Sequence, residues 1–419
     1  MNALIFSSKY ISNLQESITK GQAPEVLTDL IEIAVSERAS DIHIEPLDQK
    51  VRVRIRVDGK LHTLIEYGDT LHKALVSRIK IMANMKIDEH RKPQDGRIHT
   101  SLESNKLVDI RVSIFPTIHG EKIVMRIIDH SFKIPDLNQL GLEGRSLSII
   151  KEALEKPNGI ILNTGPTGSG KSTTLYACLS LLNKDNVNIL TLEDPVENQM
   201  QGLNQSQVHP EIGYTFASGL RNALRQDPDI MMVGEIRDKE TLETSIEAAL
   251  TGHLVLSTLH TNSAVETITR LLNMQVPRYL ITSTVQIIIA QRLVRVLCPH
   301  CHIWSEAKEA EKKEILNILR TLNAEEVKTR LPNFQVQSFK IPHIGEGCSE
   351  CSGVGYKGRL AIYEILKFSE KITEAILKEE PIPHIISLAA AEGTTFLRQD
   401  GIIRVLQGLT SLEEIYSNT

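Results

Sequence analysis

The stretch from Gly159 to Leu182 limits the possible folds more than any other. GIILNT reads as a buried strand that stops, GPTGSGK as a tight turn, and STTLYACLSLL as an amphipathic helix. A strand, a turn of successive backbone N–H groups and a helix whose positive end faces that turn together make a cradle for phosphate. Gly165 and Gly170 let the backbone fold closely around an anion, Lys171 can reach outer phosphates, and the Ser172 hydroxyl can sit on magnesium. Gly165, Pro166, Thr167, Gly168, Ser169, Gly170, Lys171, Ser172 and Thr173 are therefore the expected nucleotide-binding set. The alternative, a glycine-rich turn that matches by accident, would not need the flanking strand and helix.

Beyond this unit the apolar strands NILTLED, DIMMVGE and HLVLSTLH alternate with helical segments. That order predicts a mostly parallel sheet with helices on both faces, an α/β fold. Strand ends in such a sheet share one edge, so Glu193 and Glu235 are expected beside the phosphate loop. A metal-supporting acid and a group that orients water are what phosphoryl transfer requires next. His260, in STLHTN, ends a further strand and is a candidate contact for the outer phosphate, although a lone histidine is more often structural. RNALRQDPD puts Arg221 and Arg225 four apart, on one helical face, and Arg237 is a third cation that could meet developing phosphate charge. An ordinary solvated face explains the first two equally well.

The N-terminal part has a different pattern. PEVLTDLIEIAVSERA predicts an amphipathic helix from Pro24 to about Ala39, and VRVRIRVDGKLHTLI alternates strictly before turning at Asp58-Gly59. The hairpin would show Arg52, Arg54 and Arg56 on one side. LHKALVSRIKIMANM reads as a second helix, RKPQDGRIH as turn-rich, and VDIRVSIF with EKIVMRIID as another strand pair. These elements predict a small α+β domain. The expected limits are a leader at 1–23, the α+β domain at 24–131, a linker at 132–146, the phosphate-loop domain at 147–292 and a helical lobe at 293–419. A net charge of −5 gives no global basic field, and no apolar run is long enough to span a membrane. A cytoplasmic protein that does not coat nucleic acid is expected.

Four of the five cysteines form two tight pairs, CPHC at Cys298 and Cys301 and CSEC at Cys348 and Cys351. Two such pairs supply four thiolates in the spacing of a structural zinc site. His300 and His302 flank the first pair as substitute ligands. Cys178, on an apolar helix, reads as a small buried hydrophobe.

Taken together, these motifs resemble the secretion and type IV pilus assembly ATPases of the GspE/PilB type. GPTGSGKSTTLY is similar to that family's Walker A segment, TLEDPVE to its Asp box, LRQDPDIMMVGEIRD to its Walker B segment and TGHLVLSTLHTN to its His box. The resemblance implies a RecA-like P-loop ATPase domain with a smaller N-terminal α+β domain and a helical, zinc-binding C-terminal lobe. It implies ATP, Mg2+ and structural Zn2+ as cofactors. It gives Lys171 and Ser172 phosphate and magnesium, Glu193 the attacking water, Glu235 the metal, His260 the γ-phosphate, and Arg221, Arg225 and Arg237 the phosphate charge. SDIHIEP, RVDGK and KPQDGR resemble the family's smaller domain, which makes Arg91 and Arg97 further candidates to reach nucleotide or a neighbouring subunit.

The same resemblance implies a homo-hexamer at the cytoplasmic face of the inner membrane, held there by partners, acting on a membrane platform protein that extracts pilin subunits. Assembly of type IV pili is the expected function, and type II secretion is the alternative because both systems share these boxes. The two-pair zinc module resembles that of extension and secretion motors rather than retraction motors. A DNA-uptake or conjugation motor and a non-hydrolysing nucleotide-gated scaffold are the remaining readings. Many relatives carry a further N-terminal recruitment domain, and only about twenty residues precede the first expected helix here, so either the sequence is trimmed or this member lacks that domain.

Overall fold

The computed structural model describes residues 8–102, 107–128, 134–336 and 339–419. The start of the expected leader and the expected boundary near residue 131 lie outside these residues. Two compact units emerge: Met1–Phe132 together with Glu346–Lys357, and Lys133–Gly345 together with Gly358–Thr419.

In the first unit, strands β1 (Asp41–Pro46), β2 (Lys50–Val57), β3 (Lys60–Gly68), β4 (Gln94–Ser101), β5 (Leu107–Thr117) and β6 (Gly120–Ile128) form one sheet in the order β3-β2-β1-β6-β5-β4. The period-two pattern of β2 sends Val51, Val53 and Ile55 into a core shared with the helices Ala23–Ser36 and His72–Met82. Its arginines turn the other way. Arg54 meets Glu45 at 2.6 Å and Arg52 meets the same carboxylate at 3.1 Å. Asp58 and Gly59 take φ of 46° and 82°, the left-handed pair that a two-residue hairpin requires.

Three features of this unit differ from the sequence reading. A helix, Ser8–Thr19, precedes the expected first one, and Leu14 on it is fully buried. The segment DIHIEP is a strand, β1, in the middle of the sheet and buried along its length. Its polar residues hid it, and they are held in place by the neighbouring arginines. The expected turn RKPQDGRIH becomes strand from Gln94 onward, pairing with β5.

In the second unit, β7 (Gly159–Thr164), β8 (Ile189–Glu193), β9 (Asn204–Gln207), β10 (Ile230–Val233), β11 (Leu254–Leu259) and β12 (Val285–Leu297) join a seven-stranded sheet. Strands β13 (Ile303–Glu306) and β14 (Lys340–His343) pair separately, and β15 (Tyr356–Lys367) closes the large sheet in the order β15-β12-β7-β11-β10-β8-β9. Pairing from β12 through to β9 is parallel. Ile160 and Leu162 enter one apolar core and Ile161 the other, so helices cover both faces. The segment after residue 292 carries the expected helices, such as Glu309–Arg320 and Leu397–Leu406. It also supplies the end of β12 and all of β15, whose apolar runs pass for buried helix in sequence. No helix among the described residues is long and apolar enough to cross a membrane.

A buried ion cluster ties the start of this unit to its last helices. Arg330 reaches Glu143 at 2.7 Å and Asp400 at 2.5 Å, and Arg404 reaches Glu143 at 2.8 Å. Asp400 also accepts the backbone N–H of Tyr363 on β15 at 2.9 Å.

Candidate active site

β7 ends at Thr164, the loop follows, and the helix Lys171–Leu182 starts at once, with Gly170 at φ 86° as its N-cap. Side chains are excluded at the two bracketing glycines. A Cβ on Gly165 would lie 2.5 Å from the Gln291 carbonyl oxygen, and one on Gly170 would lie 2.8 Å from Gln291 Nε2. The loop thus bends with its backbone against β12, leaving its N–H groups and the helix N-terminus for an anion.

Around this loop is a cavity of about 380 Å³. Thr167, Gly168, Gly170, Lys171, Ser172 and Thr173 line it from the loop, and Glu193, Glu235 and His260 line it from the ends of β8, β10 and β11. Parallel strands with a common edge bring these groups together. Lys171 is largely buried and its Nζ donates to the carbonyl oxygens of Gly165 at 2.8 Å and Pro166 at 3.1 Å. Burial pushes its pKa down to about 8, against the opposing pull of Glu235. A cation held inside its own loop, and a Ser169 hydroxyl that is buried without a hydrogen-bond partner, fit a phosphate ligand.

Glu235 pairs with Arg237 at 2.5 Å and faces His260 Nε2 at 3.4 Å. Burial first, and then the charge on Lys171, hold the imidazole below the usual histidine range, so His260 is neutral at pH 7. Glu193 is different. It is almost fully buried, and its carboxylate accepts from Thr191 Oγ1 at 2.6 Å, from Gln205 Nε2 at 3.0 Å and from the Tyr176 hydroxyl. Those donors fix it to the sheet and to the phosphate-loop helix. Asp194 and Glu197, on the loop that leaves β8, line the same cavity from exposed positions. Sequence reasoning passed over both, though the acid run TLEDPVE contained them.

Two of the expected arginines lie elsewhere. The helix Phe216–Ala223 ends before Arg225, because Asp227 takes φ 50° and Pro228 follows. Arg221 and Arg225 therefore do not share a helical face, and neither lines the cavity. Arg221 pairs with Glu240 at 2.7 Å, while Arg225 donates to Asn222. Arg91 pairs with Glu89 at 3.2 Å on an exposed loop of the first unit. Leu293 and Arg359 were not foreseen and also line the cavity.

The sulfur atoms of Cys298, Cys301, Cys348 and Cys351 all lie within 4.8 Å of one another. Four sulfurs at about 2.3 Å from one zinc ion would sit about 3.8 Å apart at tetrahedral corners. Cys348 Sγ and Cys351 Sγ are 3.8 Å apart, so this pair fits directly. Backbone N–H groups of Cys348 and Gly355 both donate to Cys351 Sγ at 3.2 Å, which suits a thiolate. His302 Nδ1 lies 2.9 Å from the Cys298 carbonyl oxygen and its Nε2 accepts from Trp304, so its ring is used without a metal.

A profile of the type II/IV secretion system protein family matches residues 17–417. The type IV pilus assembly ATPase PilB of Myxococcus xanthus is 44% identical over 386 residues, which are 92% of this chain and 66% of that protein. The type II secretion system protein E of Pseudomonas aeruginosa is 45% identical over 382 residues, covering 91% of this chain and 72% of the relative. The chain spans just under two thirds of the length of three of the pilus relatives it matches, 65–66%. Among solved structures, the pilus retraction motor PilT with bound ADP is similar at 26% identity and a TM-score of 0.61, covering 94% of this chain and 96% of the other. The ATPase DotB of Legionella pneumophila shares the fold, with a TM-score of 0.67 at 24% identity over 94% and 95% of the two chains.

Proposed function

The chain belongs to the type II/IV secretion system protein family, and from that membership we propose that it is a magnesium-dependent ATPase that powers assembly of type IV pili. One observation carries the reading: Glu235 and His260, from two separate strand ends, converge with Lys171 on the cavity of a single phosphate loop. In this reading Lys171 holds the outer phosphates and Ser172 and Glu235 hold the magnesium, which would screen phosphate charge. His260 stays neutral and reports the outer phosphate to Glu235. Glu193 anchors its loop through three donors, which leaves Asp194 and Glu197 as the carboxylates free to turn toward water in the cavity. Arg237 steadies Glu235, and Arg221 and Arg225 act from outside the cavity, on a neighbouring subunit's nucleotide in a homo-hexamer. The four cysteines hold a structural zinc ion, with no position left open for catalysis. The protein works at the cytoplasmic face of the inner membrane, on a platform protein of the pilus machinery.

Type II secretion is the second reading, favoured by a relative of that system that is 45% identical and covered over 72% of its length. Deleting the gene and restoring either wild type or Lys171→Ala separates the two. Pili rescued by wild type alone support the assembly motor. Intact pili with exported proteins trapped behind the outer membrane support the secretion motor. Phosphate release by the purified protein that Lys171→Ala leaves unchanged would remove both.

A further inference from the structure

Gln291 is a polar residue at a buried position of the strand VQIIIAQRLVRVL, 1% exposed. A buried amide at such a position is retained only if its hydrogen bonds are made. The Oε1 atom of Gln291 accepts from Asn163 Nδ2 at 3.1 Å and from Thr174 Oγ1 at 2.9 Å. Asn163 lies on β7, just before the phosphate loop, and Thr174 in the first turn of the helix just after it. One oxygen therefore fastens both ends of the loop. Asn163 Nδ2 also reaches the carbonyl oxygen of Lys171 at 3.4 Å. The rest of Gln291 supports the same loop from below, its carbonyl oxygen under Gly165 and its Nε2 under Gly170.

We propose that Gln291 is the positioning residue of the nucleotide site: it holds the phosphate loop in its binding shape and so sets where Lys171 meets phosphate. It touches no reacting atom and acts only through the loop. The proposal rests on the nucleotide reading for its ligand, but the state of the loop can be measured without nucleotide. Gln291→Met keeps the volume and removes the acceptor, so that Asn163 Nδ2 and Thr174 Oγ1 each lose a buried hydrogen bond beside the loop. Gln291→Glu keeps an oxygen at the same place and serves as the conservative rescue.

The experiment uses the full chain in two measurements. Hydrogen–deuterium exchange without nucleotide is expected to rise in Q291M across residues 165–173 and to stay unchanged in β8, β10 and β11. Titration with ADP is expected to show about tenfold weaker binding in Q291M, the scale of two modest hydrogen bonds, with Q291E within about threefold of wild type. Where Q291M does not fold, Thr174→Val removes one donor at nearly constant volume and gives the same loop-confined gain at smaller amplitude. The proposal is overturned if exchange at 165–173 matches wild type in the folded variant, or if Q291M loosens every strand of the sheet equally. ADP binding that Q291M leaves intact while the loop loosens also overturns it. Wild-type protein that binds no ADP would defeat the nucleotide reading instead, and the exchange result would still decide the role of Gln291.

Discussion

His260 turns its Nε2 toward Oε2 of Glu235 at 3.4 Å, on a carboxylate whose other oxygen is taken by Arg237. With its pKa held below the ordinary 6.5, the imidazole is neutral at pH 7 and leaves Glu235 free to support a metal. Acidification reverses this. Once protonated, His260 attracts Glu235 as a second cation and competes for it. Turnover is therefore expected to fall as pH drops through the lowered pKa of His260, and His260→Asn should lack that acid limb. A pH–rate profile of both proteins checks this, and an acid limb of equal position and depth in the variant would refute it.

Removing the carboxylate itself should separate chemistry from binding. Glu235→Gln keeps the size of the side chain and a neighbour for His260, but it has no charge to offer a metal. The turnover number is expected to fall by about a hundredfold or more, with ADP affinity within about threefold of wild type. Parallel steady-state assays and ADP titrations decide, and a variant with wild-type turnover would return the protein to the scaffold reading.

Lys171 gives a pH effect of opposite direction. Its pKa of about 8 reflects a cation buried among backbone carbonyls, and phosphate would favour the charged form. Below pH 8 the ammonium is already protonated, so affinity is nearly flat. Above pH 8 the free protein has lost that proton and must regain it on binding, so log affinity should fall with pH at a slope approaching −1. Calorimetry at pH 8.5 in buffers of different ionisation enthalpy should detect proton uptake. Binding without uptake, at constant affinity from pH 7 to 9, would contradict it.

The strand ends of the site were legible in sequence, whereas the positions of several side chains were not. Glu235 and His260 end apolar strands, and a parallel sheet aligns such ends without further information. Glu193 also ends a strand, but its burial depends on Tyr176 and Gln205, which come from other elements and have no periodic signal. The shared face expected of Arg221 and Arg225 fails for a local reason, since i, i+4 spacing counts only while a helix continues and this one stops at Ala223. β1 was hidden by tertiary charge pairing. Its Asp41 and Glu45 look exposed until Arg52, Arg54, Arg56 and Arg126 are placed on the adjacent strands.

The ion cluster around Arg330 predicts a stability effect away from the cavity. Its guanidinium is almost fully buried against Asp400, Glu143 and Glu326. Removing one member of a buried cluster leaves charges without partners, which typically costs about 3–5 kcal/mol. Arg330→Met is therefore expected to lower the melting temperature of the second unit markedly, while exchanging Arg221 for alanine changes stability by less than about 1 kcal/mol, since its pair with Glu240 is exposed. Differential scanning calorimetry compares the two, and equal effects would mean that the cluster adds nothing beyond a surface pair.

Zinc supplies the last test, because its removal should act on folding and not on phosphate chemistry. Four thiols within 4.8 Å of one another are expected to bind one zinc ion per chain, measurable by elemental analysis after exhaustive dialysis. Cys298→Ser should lose most of that metal and lower the melting temperature, since binding free energy at a structural site is folding free energy. A second variant leaves every thiol in place. A Cβ on Gly345 would fall 1.7 Å from the Cys301 carbonyl oxygen, so Gly345→Ala must displace the backbone at Cys301. It should release zinc to a chelator faster than wild type does. Because the ligands must be deprotonated to bind, zinc is also expected to leave on acidification, with loss of stability in the same pH range. Full zinc content in Cys298→Ser, or none in wild type, would rule out the four-thiolate site.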